Sequence, residues 1–364
     1  GMALLAQRLH RPPPPRLTAH LIPNPYGHTD PPPPNPLPFI AFTSLSRPLL
    51  AFLSLPHLSY LIFYHKPVYP HGGRLGENQE AAPQRHRQKN KHMPRYTTAL
   101  TIAGSDPSGG AGLQADLKTF SALGVYGTTA IVAIVDENTQ GVYGVHPVPD
   151  PFVAGQIRSV LSDIGADAVK IGMLHSSSLI RTVLSTLREY PDVRKIVLDP
   201  VMVATSGDPL LQPEAITTLR DELMPYSKVI TPNLPEASLL LGETVDHQDQ
   251  FEDAARALSR LTDAKVSVML KAGHLENNTL TDIFYNAETG TFLRLATPRV
   301  NTVNTHGTGC TLSSAIAAYL AKGADLDSAA LLAKDYISNA IAAGASYTIG
   351  HGHGPVHHFH ALWR

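Results

Sequence analysis

The distribution of hydrophobic residues changes abruptly near residue 97. From there, short apolar runs typical of buried strands alternate with longer segments whose apolar residues recur at helical spacing. The first run, residues 98–103, is followed by a helical pattern at Leu113, Leu117 and Phe120 that ends before Gly124. The folded part of the chain therefore begins with a predicted strand and a predicted helix.

The same alternation continues to the end of the chain. It predicts strands at residues 127–135, 168–173, 195–198, 229–230, 266–271, 281–285 and 291–295, and helices at 152–163, 177–189, 213–224, 234–241, 251–261, 312–322 and 327–343. The last two strands are separated by a short turn and predict a hairpin. This order of elements predicts an α/β fold with a central, mainly parallel sheet that is covered by helices on both faces.

Residues 1–95 have a different composition. Proline clusters at 12–15 and 31–34 favour extended polyproline segments over a packed core. The apolar stretches at 39–46 and 49–64 are interrupted by proline and are too short for a membrane span. We predict a disordered or non-native extension at 1–95 and one folded domain at 96–364. A transit segment and a partner-binding arm are the alternatives for the extension.

The charge and the cysteine content narrow the class of protein. The formal net charge is -1 and the isoelectric point is about 7.1, which gives no electrostatic reason to expect nucleic acid or an acidic membrane as a partner. Cys310 is the single cysteine, so an intramolecular disulfide is excluded and a reducing compartment is expected. We predict a cytoplasmic location, or an organellar one if residues 1–92 are a transit segment.

Polar and flexible residues follow most of the predicted strands. Sites in parallel sheets lie beyond the carboxyl ends of the strands. The segments found at those ends are 104–112, 137–139, 172–173, 199–202, 231–236 and 271–274. More polar residues lie at this edge of the sheet than the packing of a core requires. The pattern therefore predicts a ligand site there.

Residues 303–312 form the most distinctive segment, because they lead from a loop into a helix and carry the single cysteine. Gly307 and Gly309 would leave backbone amides free at the helix N-terminus, where the helix dipole favours an anion such as phosphate. A thiol at Cys310 would have a lowered pKa in that position. The alternative is an ordinary tight turn before a helix with a buried cysteine.

Two common nucleotide motifs are excluded. Residues 104–110 do not form a P-loop, because Gly110 stands where that motif needs lysine. The dinucleotide-binding pattern also fails, because the segment that starts at Gly307 reaches Leu312 where a third glycine is needed. A glycine-rich helix start, a lysine and several acidic residues suit phosphoryl transfer.

Residues 103–118, with the sequence AGSDPSGGAGLQADLK, resemble the N-terminal signature of hydroxymethylpyrimidine/phosphomethylpyrimidine kinases. These are thiamine-biosynthesis enzymes of the ribokinase superfamily. The resemblance continues at residues 170–174, 198–202, 206–211, 230–237, 304–313 and 350–360, and it covers roughly 97–362. It implies a ribokinase-like fold. It also implies ATP-dependent phosphorylation of 4-amino-5-hydroxymethyl-2-methylpyrimidine and then of its monophosphate to the diphosphate.

The resemblance implies a role for each residue at the helix start. Cys310 would be the base that takes the proton from the substrate hydroxyl. Gly307, Thr308 and Gly309 would hold the transferred phosphoryl group through their backbone amides. The alternatives are an inert buried cysteine and a purely structural turn.

The ATP and metal sites are implied in the same way. Lys271 would contact the ATP phosphates, with Asn233 and Thr305 as further ATP-binding residues. Asp199 and Glu236 would hold Mg²⁺, with water between them and the ion. Lys271 could instead be an ordinary surface lysine, and Asn233 a turn residue. Asp199 and Glu236 could each be a helix cap or a surface acid.

The implied pyrimidine pocket shows one departure from the family pattern. Its residues would be Gly104, Asp106, Ala111, Met173 and Val201, together with the residue at position 137. Glu137 stands where the family usually has glutamine, and a carboxylate only accepts hydrogen bonds where an amide also donates. This departure raises pyridoxal or pyridoxamine kinase as an alternative activity.

A ligand-binding protein without catalysis, on the same fold, is the alternative from a different class. The expected partners are small molecules, namely ATP and the pyrimidine alcohol or its phosphate, and neither nucleic acid nor a membrane. A homodimer is expected only by analogy with the superfamily.

Overall fold

The computed structural model describes residues 94–202, 211–273, 275 and 278–363. The predicted extension at 1–95 lies outside these ranges except for its last two residues, so its nature stays a prediction. Within the described part of the chain, no helix is both long enough and apolar enough to cross a membrane.

The elements alternate along the chain as predicted. The strands are β1 Thr98–Ser105, β2 Tyr126–Asn138, β3 Gly141–Pro147, β4 Ala168–Ile171, β5 Ile196–Leu198, β6 Val229–Ile230, β7 Ser267–Leu270, β8 Thr279–Asn286 and β9 Thr291–Pro298. The helices are α1 Gly112–Ala122, α2 Asp150–Asp163, α3 Ser177–Arg188, α4 Pro213–Thr218, α5 Leu234–Leu241, α6 Phe251–Arg260, α7 Thr308–Ala321 and α8 Leu326–Gly344.

The strands form one sheet in the order β3-β2-β1-β4-β5-β6-β7-β8-β9. The strands from β2 to β7 in this order pair in parallel, whereas the pairs β2–β3, β7–β8 and β8–β9 are antiparallel. The chain first builds to one side of β1 and then continues from β4 on the other side. The carboxyl ends of β1 and β4 therefore flank the point where strand order reverses, which is where open α/β sheets bind ligands.

Helices cover both faces of the sheet, and each face has its own hydrophobic core. On β1, Leu100 and Ile102 contribute to one core and Ala99 to the other, as expected from the alternation of side chains along a strand. Helices α2 to α6 pack on the first face, and α1, α7 and α8 on the second. The predicted mainly parallel sheet with two helical layers is confirmed.

The structure departs from the predicted elements in three places. Strand β3 was not predicted, because its residues are mostly exposed and only its pairing with β2 makes it a strand. The helix expected at 213–224 ends at Thr218 and continues as a π-helical turn and a 3-10 turn, where Pro225 lacks the amide that an α-helix needs. Helix α7 begins at Thr308, four residues before its predicted start.

Candidate active site

A single buried carboxylate organises the loop between β1 and α1. The Asp106 carboxylate accepts the backbone amides of Ser108 at 2.7 Å, Gly110 at 3.0 Å and Ala111 at 2.6 Å. The Asp106 amide in turn donates to the Gln114 side chain at 2.8 Å. Asp106 and Ala111, both predicted to bind the pyrimidine, therefore have a first role in fixing the loop that would contact it.

His306 links this loop to the end of β2. Its Nε2 lies 2.9 Å from the Asp106 carboxylate and 3.4 Å from the Glu137 carboxylate. Burial alone would lower the pKa of His306, but hydrogen bonds and charge attraction from Asp106 and Glu137 raise it to about 9. Burial would likewise raise the pKa of Asp106, yet its hydrogen bonds with His306 and the loop hold it well below the usual range.

The site therefore holds an imidazolium between two carboxylates. His306 was not among the predicted site residues, although it lies inside the segment 303–312. The sequence held one signal, a histidine directly before Gly307. The position of Glu137 opposite it depends on how β2 and the loop before α7 meet in the fold.

Gly307 brings the two glycine-rich loops into contact. Its φ of +77° is in the left-handed region, and a Cβ built on it would lie 1.8 Å from the Gly110 carbonyl oxygen. Gly307 is the N-cap of α7, and its carbonyl accepts the Thr311 amide at 2.9 Å. The amides of Gly309 and Cys310 lie in the first turn, where a helix offers them no acceptor. The Thr308 amide donates to the Thr305 carbonyl at 3.3 Å, and the anion site at this helix start stays a prediction.

Cys310 lies in the first turn of α7 and is partly exposed. Burial of the thiol raises the pKa of Cys310 to about 12, and the charges of Asp116 and Asp199 act in the same direction. The charge of Lys170 and the Gly112 amide lower the pKa of Cys310, but by less than burial raises it. The expectation of a lowered pKa for the Cys310 thiol is therefore wrong, because desolvation outweighs the helix terminus.

The predicted ATP and metal residues meet beside the same helix start. Lys271 Nζ lies 3.1 Å from the Asp199 carboxylate and 3.9 Å from that of Glu236. A Cβ built on Gly309 would be 3.2 Å from Lys271 Nζ, so the lysine reaches the α7 N-terminus. Burial, with Asp199 nearby, raises the pKa of Glu236 to about 7 despite the attraction of Lys271. A carboxylate in this state binds either a proton or a cation near neutral pH.

Asn233 and Glu236 also form a capping box at the start of α5. The Asn233 side chain accepts the Glu236 amide at 2.9 Å, and the Glu236 carboxylate accepts the Asn233 amide at 2.8 Å. Thr305 lies in the loop before α7, where its amide donates to the Val303 carbonyl at 3.0 Å. The ATP-binding roles of Asn233 and Thr305 stay predictions.

The remaining residues of the predicted pyrimidine pocket lie at the ends of neighbouring strands. A Cβ built on Gly104 would be 2.9 Å from Met173 Cε, so these two positions are in close contact across β1 and β4. Met173 is buried and belongs to the hydrophobic core. Val201 follows β5, where its amide donates to the Asp199 carbonyl at 2.8 Å. Their contact with a substrate stays a prediction.

The C-terminal segment is hydrogen-bonded to the loop before α7 and to the turn after β2. The His306 amide donates to the Gly354 carbonyl at 3.0 Å, and the His353 amide donates to the Thr139 carbonyl at 2.8 Å. Asn304 donates from its side chain to the carbonyls of Gly344 at 2.8 Å and Tyr347 at 2.7 Å. These bonds fix the backbone at His306 and at Asn304, two residues before it.

Comparison with known proteins agrees with this geometry. Residues 106–357 match the family described as phosphomethylpyrimidine kinase. The chain belongs to this family. A relative from Rhizobium meliloti, named hydroxymethylpyrimidine/phosphomethylpyrimidine kinase, is 48% identical over 266 residues, which are 73% of this chain and 98% of the relative. The Escherichia coli protein of the same name is 47% identical over 265 residues, again 73% of this chain and 98% of the relative.

A solved structure supports the fold assignment. The ADP complex of Bacillus subtilis pyridoxal kinase is 38% identical to this chain, with a TM-score of 0.67. The match covers 74% of this chain and 100% of the pyridoxal kinase. The ribokinase-like fold is confirmed, and the use of ATP as phosphoryl donor follows from membership of a kinase family.

The charge of His306 predicts a pH dependence of stability. Because its pKa is raised in the folded chain, the stabilisation is complete below the ordinary value of 6.5 and is lost as the pH rises through about 9. The His306→Gln substitution should therefore cost more at about pH 6 than at about pH 10, by on the order of 3 kcal/mol. Urea unfolding measures the difference, with the exposed His247→Gln as the control. An equal cost at both pH values would contradict the assignment.

The contact at Gly307 predicts a difference between the two ends of α7. Gly323, at the other end, also has a positive φ, +92°, but a Cβ built there meets no atom within 4 Å. Gly323→Ala should cost only the backbone strain, about 1–2 kcal/mol. Gly307→Ala should cost at least about 1 kcal/mol more, because the methyl group also displaces the Gly110 carbonyl. Thermal and urea unfolding of both variants measure this, and equal losses would refute the close contact.

Proposed function

We propose that this protein phosphorylates 4-amino-5-hydroxymethyl-2-methylpyrimidine with ATP, and then phosphorylates the monophosphate to the diphosphate, in thiamine biosynthesis. The observation that carries the proposal is the convergence of Cys310 and Lys271 on the N-terminus of α7. The relatives named above bear the same activity in their names and are covered over nearly their whole length.

Phosphoryl transfer depends mainly on positioning and on stabilising negative charge. The first-turn amides at Gly309 and Cys310 and the positive end of the α7 dipole face the space where a γ-phosphoryl group would sit. Lys271 adds a positive charge beside Gly309. Together they would hold the phosphoryl group in line between the ATP and the acceptor oxygen.

Cys310 would act as the base. Its thiolate takes the proton from the substrate hydroxyl, the hydroxyl oxygen forms the new bond to the γ-phosphorus, and the bond to the β-γ bridging oxygen breaks to release ADP. Burial raises the pKa of the Cys310 thiol to about 12, so the thiol carries its proton at neutral pH. This proton must first pass to solvent water, and the thiolate then accepts the proton of the substrate hydroxyl. Among the described residues, the Lys170 and Lys271 ammonium groups and the Gly112 amide favour the thiolate.

Asp199 and Glu236 would hold Mg²⁺. Both side chains suit a magnesium ion, because they are buried carboxylates and Mg²⁺ prefers oxygen ligands. Asp199 already accepts from Thr231 at 2.8 Å and from Lys271, which suits contact through the ion's water shell better than direct ligation. When bound, the ion supplies positive charge that offsets the charge of the phosphates. The two carboxylates would fix its place beside Lys271.

Pyridoxal or pyridoxamine kinase is the second candidate, and one observation favours it. Glu137 replaces the family's usual glutamine and already accepts from His306, so it offers only an acceptor to a substrate ring. It can accept from the 4-amino group of the pyrimidine, but it can bond the adjacent ring nitrogen only when that nitrogen is protonated. One similar solved structure is a pyridoxal kinase. The location of the protein in the cell, either cytoplasmic or organellar, stays a prediction.

The decisive measurement is ADP release by the full chain with ATP, Mg²⁺ and either the pyrimidine alcohol or pyridoxal. We expect turnover with the pyrimidine alcohol, and a second phosphorylation with its monophosphate. Turnover with pyridoxal alone would favour the second candidate. Absence of ADP release with every acceptor would favour a ligand-binding protein without catalysis.

Replacing Cys310 by alanine tests the base. Loss of a general base costs about 10²–10⁴ in rate, so Cys310→Ala should lower kcat by that factor. The KM for ATP should change little, because Lys271 and the helix amides remain. Calorimetric binding of the pyrimidine and ATP is the control for an intact site. A variant that binds both and turns over at the wild-type rate would refute the role.

We also propose that the protein forms a homodimer through the hairpin β2–β3. Strand β3 is one of the two outer strands of the described sheet, and Tyr143 and Val145, two residues apart on this strand, are 62% and 42% exposed. An apolar strand edge of this kind usually pairs with or packs against another chain. A second copy offers a matching surface.

Tyr143→Glu should convert the dimer to a monomer, because it places a charge in the apolar contact. Light scattering of the full chain measures the molecular mass. Leu331→Glu, at a 56% exposed position of α8, is the control and should stay dimeric. A monomeric wild-type protein would refute the proposal.

A further inference from the structure

A buried ion pair lies between strand β8 and helix α8, and neither of its residues belongs to the candidate active site. Lys334 Nζ lies 2.8 Å from the Asp282 carboxylate, and the two side chains are 11% and 7% exposed. Removing two charges from water is costly, and an apolar pair in the same place is often at least as stable. Stability alone is therefore a poor explanation for this ion pair.

The two carboxylate oxygens of Asp282 have different partners. Oδ2 accepts from Lys334, whereas Oδ1 accepts the backbone amide of Ala272 at 2.7 Å. The pairing of β7 with β8 ends at Leu270 and Ile283, so the carboxylate extends the contact between the two strands beyond the end of the ladder. Ala272 is fully buried, and a buried amide needs an acceptor. Asp282 supplies that acceptor.

The Ala272 amide belongs to the peptide group that follows Lys271. The peptide group that precedes Lys271 is held as well, because the Lys271 amide donates to the Pro232 carbonyl at 3.0 Å. Peptide groups are planar, so fixing both planes sets the two backbone dihedral angles of Lys271. The direction in which its side chain leaves the backbone is therefore set by Pro232 on one side and by Asp282 on the other.

The Lys271 side chain carries the ammonium group that is predicted to contact the ATP phosphates. Its Nζ lies 3.1 Å from the Asp199 carboxylate and 3.9 Å from that of Glu236, and a Cβ built on Gly309 would lie 3.2 Å from it. A lysine side chain has a flexible four-carbon stem. The base of that stem must be fixed if the ammonium is to stay within reach of a phosphate beside Gly309.

We propose that Asp282 is a positioning residue for Lys271: it is paired with Lys334, fixes the peptide group after Lys271 and so directs the ammonium to the nucleotide phosphates. The proposal rests on the ATP-binding role proposed for Lys271. Lys334 occupies one oxygen of Asp282 and keeps the other directed at the Ala272 amide. The feature that matters for the nucleotide is thus the acceptor beside this amide, rather than the charge of Asp282.

Two neutral double variants separate the acceptor from the charge. Asp282→Asn with Lys334→Met removes the ion pair and keeps a side-chain oxygen that can accept the Ala272 amide. Asp282→Leu with Lys334→Met removes the ion pair and the acceptor, with a side chain of similar size. The dissociation constant of ATP is measured by titration calorimetry on the full chain, with Mg²⁺ and without an acceptor substrate.

We expect the leucine variant to bind ATP at least about tenfold more weakly than the wild type, because a contact to a charged group contributes that much or more. The asparagine variant should bind ATP as the wild type does. In a Lys271→Met background, the leucine and asparagine variants should bind ATP equally, because the ammonium that Asp282 directs is absent. A purely structural role of Asp282 would leave the difference between them unchanged in that background.

Asp327→Leu is the matched control. Asn286, at the other end of β8, donates from its side chain to Asp327 in the first turn of α8 at 2.7 Å. This contact also joins β8 to α8, but it lies beside the start of β7, away from Lys271. Its loss should lower the stability in urea and leave the affinity for ATP unchanged.

Equal affinities of the asparagine and leucine variants would overturn the proposal. An equal loss of affinity in Asp327→Leu, or a difference that persists in the Lys271→Met background, would also overturn it. If the leucine variant does not fold, Asp282→Ala with Lys334→Met takes its place and is judged in the same way.

The experiment also separates this proposal from the proposed activity. A wild-type chain that binds no ATP would refute the nucleotide role of Lys271, and the positioning role of Asp282 with it. A chain that binds ATP but phosphorylates no acceptor would refute only the activity, and the comparison of the variants would still decide the role of Asp282.

Discussion

The close approach of two glycine-rich loops is the constraint on which the site depends. The Gly110 carbonyl lies where a side chain on Gly307 would have to be, so the loop after β1 and the loop before α7 meet backbone to backbone. This contact brings Asp106 to His306 and the start of α1 to Cys310. Without it, the first turn of α7 would be an isolated helix start with no pocket in front of it.

Buried charge is concentrated at the same edge of the sheet. His306 lies between two carboxylates, Lys271 lies between two others, and Lys170 is paired with a single one below them. Attraction to its partners offsets part of the free energy that each charged group loses when it leaves water. In the phosphoryl transfer proposed above, this positive charge would face the phosphates, and the carboxylates hold it in place.

The thiol shows how burial and charge compete. A helix N-terminus favours a thiolate, but desolvation of the Cys310 thiol outweighs that effect, and two nearby carboxylates also disfavour the thiolate. The ammonium groups of Lys170 and Lys271 are nearby charges that favour the thiolate.

The sequence determined the class of fold, because the alternation of apolar runs and helical patterns is a local property. It also placed the candidate residues at the strand ends and gave the family through long motifs such as residues 103–118. It could not give β3, whose mostly exposed residues become a strand only by pairing with β2. Nor could it place His306 between Asp106 and Glu137, since these residues come from three distant segments. The tertiary structure decided the pKa values too, because desolvation and charge pairing arise only when segments far apart in the chain are packed together.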